Sequence, residues 1–123
     1  MNASGYQAYK NQSIFTMTQG ELLLTLYDEL VKRLLQADLA LRNQDYGIFE
    51  HSIGRSAEIV DYLNSTLDNR YQISGQLSRM YDFFKFYLAR IEAGMDDEKI
   101  IELIELVKEL RTAFYEANKK AGI

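Results

Sequence analysis

Apolar positions recur with helical spacing along most of the chain, and the stretch Thr18 to Leu41 shows the pattern most fully. At about 100° per residue, Leu23, Leu26, Leu30, Leu34, Ala37 and Leu41 share one face. Leu24, Val31, Leu35 and Leu39 form a second stripe roughly a quarter-turn away. One stripe serves as the seam of a helix bundle. The other must meet another helix of the chain or a partner.

Three more helices follow from the same periodicity. The first helix, from Thr18 to about Asn43, opens with Thr18 and Glu21 spaced as a capping box and stops at the turn chemistry of Asn43-Gln44-Asp45-Tyr46-Gly47. A second is predicted from about Gly47 to Asp68, with Phe49, Ile53, Ala57, Val60, Leu63 and Leu67 as its core stripe and Ile48, Ile59 and Tyr62 on a flank. A third runs from Ser74, a plausible N-cap, to Ala93-Gly94, where glycine suits the left-handed stop position. Its core face is Leu77, Met80, Tyr81, Phe84, Leu88 and Ile91, with Phe83, Phe86 and Tyr87 to the side. The fourth begins at Asp96-Asp97-Glu98, at the positive end of its dipole, and ends near Lys119-Lys120. Its seam is Ile100, Leu103, Val107, Leu110, Phe114 and Ala117, with Ile101, Ile104, Leu106 and Tyr115 off it. Short loops between helices of this kind predict an all-α, antiparallel up-down-up-down four-helix bundle over residues 18–123.

Residues 1–17 are read as a leader. It is rich in Asn, Gln, Ser and Gly, yet it interleaves Tyr6, Tyr9, Ile14, Phe15 and Met17. Apolar side chains with nothing local to bury them, beside a bundle with open stripes, predict a lid that lies on the partner surface. Composition narrows the picture further. The chain of 123 residues suits one domain. It has no proline and no cysteine, so neither disulfides nor thiol chemistry enter, which fits a reducing compartment. The opening residues lack the apolar core of a signal peptide, and no apolar run approaches the roughly 20 residues of a membrane span. A cytoplasmic protein without membrane insertion is expected. The net charge of −4 argues against nucleic acid as a partner.

Catalytic and metal chemistry find little footing. A di-iron bundle needs inward Glu-x-x-His pairs, whereas the chain has one histidine, His51, and Ile stands three residues before it. The adjacent acids Asp28-Glu29 and Asp96-Asp97 do not face each other on a helix. No phosphate-binding loop, dinucleotide fingerprint or serine-nucleophile motif occurs. No enzyme activity, cofactor or metal is expected.

The side stripes carry more. A broad bundle core accounts for some of them, but not for Leu24, Val31, Leu35 and Leu39 together or for Phe83, Phe86 and Tyr87 together. Nine tyrosines and six phenylalanines exceed what a small helical core needs, and aromatics are enriched at interfaces. Partner contacts are therefore expected at Leu24, Val31, Leu35, Ile48, Ile59, Tyr62, Phe83 and Tyr87, with Tyr6, Tyr9 and Ile14 contributing from the leader. Amphipathic helices laid into grooves are the natural occupants. A self-associating helical structural or adaptor module is the alternative use of the same stripes.

The chain also resembles a known family. Tyr6, Tyr9 and Asn11 resemble the tyrosine-bearing N-terminal segment of the FliS family of flagellin-binding export chaperones. Leu22, Leu26, Tyr27 and Asp28 resemble its first-helix signature. Arg55, Ala57, Ile59, Leu63, Leu67 and Asp68 resemble its second helix, and Ile73, Leu77, Met80, Tyr81, Asp82 and Leu88 its third. Gln19 stands where the family often has proline, and Phe114 where it often has tryptophan. The resemblance implies an antiparallel four-helix bundle without cofactor. It implies a cytoplasmic protein that binds the C-terminal segment of flagellin, blocks premature polymerisation and presents the subunit to a component of the flagellar export gate. A monomer or weak homodimer when empty, becoming one-to-one with its client, is the implied assembly.

Overall fold

In a computed structural model, residues 19–120 are described, the side chain of Lys120 excepted. They form four helices: α1 (Gln19–Arg42), α2 (Tyr46–Ser65), α3 (Ile73–Gly94) and α4 (Asp97–Lys120). Thr18, Tyr6, Tyr9, Ile14 and the rest of the leader, and with them the predicted capping box and lid, lie outside the described residues.

Two hairpins set the antiparallel order, and both use one device. At the end of α1 the Asp45 N–H donates to Ala40 O (2.8 Å) and the Gln44 N–H to Leu41 O (3.1 Å), which is a Schellman stop with Gln44 left-handed at φ 58°. Asp45 then caps α2, its Oδ1 accepting from the Ile48 N–H at 3.2 Å. At the end of α3 the Asp96 N–H reaches back to Ile91 O (3.4 Å), Met95 is left-handed at φ 50°, and Asp96 Oδ1 accepts from the Lys99 N–H at 3.2 Å. The left-handed residue is thus Met95 and not the predicted Gly94. The turn falls one residue beyond the glycine, with Ile91 O accepting from the Asp96 N–H. Ser74 is likewise no N-cap: it lies inside α3, buried, and its hydroxyl donates back to Asp68 O across the α2–α3 connection.

The four helices enclose one core. Tyr27, Leu30, Leu34, Phe49, Ile53, Val60, Leu63, Tyr81, Phe84, Leu88, Ile91, Ile100, Leu103 and Val107 are all essentially sealed from water. Each large apolar side chain so buried contributes roughly 1.5–3 kcal/mol. Helix α1 packs extensively on both α2 and α4, while α3 meets α4 over the smallest interface between neighbouring helices. That asymmetry explains three departures from the predicted seams. The buried arc of α4 is turned toward α1, so Ile104 is core, while Ala117 is exposed. Met80, predicted to face the core, is instead 41% exposed, because α4 stands away from that flank of α3.

Candidate partner-binding surface

The outer face of α1 keeps an apolar trough after the core is complete. Asp28, Val31, Lys32, Leu35, Gln36 and Leu39 line it. Leu35 and Leu39 are about half exposed, whereas Val31 is partly buried against the core. The trough continues over the α1–α2 corner, where Gln36 and Leu39 meet Ile48, His51 and Asp45. Helical spacing on α1 brings 28, 31/32, 35/36 and 39 to one side. The Asp45 cap fixes where α2 starts, and so holds Ile48 beside Leu39.

A second groove lies between α3 and α4. At one end Met80, Phe83 and Phe84 face Leu106, Glu109 and Leu110. At the other, Ile73, Gln76 and Leu77 face Ala113, Phe114 and Ala117, with Met80 and Leu110 shared between the two. The helices are tied near their hairpin, where the Tyr87 hydroxyl donates to Glu102. Glu102, as acceptor of that proton, holds the Tyr87 hydroxyl above its ordinary titration range. The Phe83 and Tyr87 rings stack with centroids 5.2 Å apart.

Of the sequence-predicted contacts, Val31, Leu35 and Ile48 belong to the α1–α2 band. Phe83 lines the α3–α4 groove and Tyr87 continues its wall toward the hairpin. Tyr62 is exposed but lines neither groove, nor do the half-buried Leu24 and Ile59. Val31, Ile59 and Tyr87 pack against the core as well as facing outward. The pattern on each helix missed Ile73 and Met80 as groove residues. Their exposure depends on the distance between α3 and α4, which no single helix encodes.

Charged groups tie the helices from outside. Arg111 forks onto both carboxylate oxygens of Asp28, joining α4 to α1, and Lys85 reaches Asp61 at 2.7 Å, joining α3 to α2. The first pair holds the Arg111 guanidinium even further above neutrality than usual. Among the described residues no three His, Cys, Asp or Glu side chains gather in a metal-holding group, and His51 is exposed. No helix among them is long and apolar enough to cross a membrane.

Comparison with known proteins agrees with this architecture. The model of the family described as flagellar protein FliS matches residues 1–121. A flagellar secretion chaperone FliS of Bacillus subtilis (strain 168) is 30% identical over 112 residues, covering 91% of this chain and 84% of the relative. The protein of the same name from Vibrio cholerae serotype O1 is 22% identical over 114 residues, covering 88% of this chain and 84% of that relative. A match that spans nearly every residue, on a four-helix chain with apolar grooves left open, carries one conclusion: the chain belongs to the flagellar protein FliS family.

Proposed function

We propose that this protein is a cytoplasmic export chaperone that binds the C-terminal segment of flagellin, keeps it from polymerising early and delivers it to the flagellar export apparatus, with contact to a component of the export gate. The observation that carries this is the apolar surface left after a complete core: Leu35, Leu39 and Ile48 on one side, Met80 and Phe83 on another. Contiguous apolar surface on a small bundle marks a partner site. Its two grooves lie on different helix pairs, so a client that occupies both has to wrap. A flagellin terminus that orders as it wraps buries on the order of 1,000–3,000 Å² and offsets its own ordering cost. The face it uses is then unavailable for assembly into a filament.

The leader has a place in this reading. Gly20, at the start of α1, lies against the Asn118 side chain near the end of α4. Tyr6, Tyr9 and Ile14 then serve as a lid over the empty surface. Titration calorimetry with a peptide of flagellin's C-terminal segment tests the reading. A one-to-one complex formed from a monomer or weak dimer supports it. A stable homodimer that ignores the peptide identifies the self-associating module instead.

A further inference from the structure

The α3–α4 groove has a chemistry of its own. On α3 its wall is Ile73, Gln76, Met80, Phe83 and Tyr87, and on α4 it is Leu106, Leu110, Ala113 and Ala117. Both runs keep the alternating three- and four-residue steps of a heptad seam, which is the spacing that receives a third helix by knobs-into-holes packing. From Ile73 to Tyr87 the wall is about 21 Å long, or about four helical turns. It is bulky on the α3 side and tapers to alanine on the α4 side. Ile73 is 53%, Phe83 44% and Leu106 38% exposed, so the seam is unfilled by the described residues.

Charge selects the occupant. No charged side chain stands in the α3 wall. Along the crest of α4, directly beside the groove, Glu98, Glu105, Glu109 and Glu116 are exposed, and Glu102 joins the same row. These positions fall within a narrow arc of one helix. None of Glu98, Glu105, Glu109 and Glu116 has an ion-pair partner among the described residues. On the outer side of α3, Arg79, Asp82 and Arg90 are exposed, with the Arg90 guanidinium over the Phe86 ring.

We infer that this groove receives an amphipathic helix whose apolar face is flanked by lysine or arginine on the side that meets the α4 crest. The basic flank fixes the direction in which the helix lies, because only one orientation sets it over the glutamates. The inference concerns the groove and stands apart from which protein supplies the helix.

Fluorescence anisotropy on the full chain tests it. The probes are synthetic peptides of about four turns that share one heptad Leu/Ile face and carry Lys, Gln or Glu on the flank. The Lys peptide binds about tenfold tighter than the Glu peptide at low salt, the combined effect of a few exposed ion pairs. That preference collapses in Glu105→Gln/Glu109→Gln and at an ionic strength of about 1 M. Ala113→Trp, which fills the cleft from an exposed position, removes binding, while Leu39→Asp on α1 leaves it unchanged. Equal binding of Lys and Glu peptides overturns the inference. So does absence of binding, both in the full chain and in a chain lacking residues 1–15. A homodimer that Ala113→Trp dissociates, with no peptide bound, assigns the groove to a second copy and overturns it too. Failure of the synthetic peptides beside normal binding of the flagellin peptide overturns this inference alone.

Discussion

Tyr27 and Tyr81 meet hydroxyl to hydroxyl at 2.6 Å in the middle of the core, on helices that otherwise barely touch. Tyr27 also packs its ring at a tilt against Phe114 with centroids 5.8 Å apart, so one side chain braces three helices. Removing one hydroxyl leaves the other buried without a partner. Tyr27→Phe or Tyr81→Phe alone therefore costs about 1–3 kcal/mol, while the double variant is nearly neutral. Urea denaturation of the three variants reads this, and additive losses would show that the two hydroxyls are independent. Burial raises both hydroxyls above the ordinary value of 10.0, Tyr27 the more strongly. The folded state then keeps protons that the unfolded chain releases. Stability is fully present below about pH 10 and falls above it, by up to roughly 1.4 kcal/mol per pH unit for each tyrosine. The double Phe variant flattens that alkaline loss. Met95 is a second residue with a clear expectation. It is a non-glycine at φ 50° with its side chain 47% exposed, so Met95→Gly relieves left-handed strain and gains about 1 kcal/mol. A midpoint that stays put or falls would locate compensating contacts in the methionine side chain.

The helices sort the side stripes into two kinds. Val31 and Ile59 pack partly on the core, so aspartate at either position unfolds structure as well as surface. Leu35 and Leu39 stand free of the core on the same α1 face. Leu35→Asp with Leu39→Asp weakens binding of a flagellin C-terminal peptide at least about tenfold while shifting stability by no more than about 0.5 kcal/mol per site. Val31→Asp with Ile59→Asp lowers the melting temperature outright. Calorimetry and thermal denaturation on the same samples separate the two effects. Unchanged affinity in the first pair would remove the α1–α2 band from the client site.

For the whole molecule, the lid proposed for residues 1–17 is expected to slow aggregation of the empty state. A lid closed about 90% of the time lowers apparent affinity about tenfold, since only the open fraction binds. Deleting residues 1–15 then gives tighter client binding and faster aggregation without client, measured by calorimetry and light scattering beside the full chain. Much weaker binding without added aggregation would place Tyr6 and Tyr9 in direct contact with the client.

Local pattern was enough for the four helices, their order and most of the core, because Leu30, Leu34, Phe49, Val60, Leu88 and Leu103 repeat at the helical period and a buried face demands that repeat. The surplus of apolar stripes on α1 and α3 was legible for the same reason. The turn residues Asn43 to Gly47 and the acids Asp96-Asp97-Glu98 announced where α2 and α4 begin, but the capping bonds of Asp45 and Asp96 and the left-handed stop at Met95 came only with the structure. Tertiary packing alone decided that α4 leans on α1 and away from α3. Met80 thereby becomes groove, Ile104 becomes core, and Leu106 faces an empty seam across from Phe83. Periodicity states which face of a helix is apolar. Which part of that face another helix covers depends on distances between elements, and those are set by the packing of all four at once.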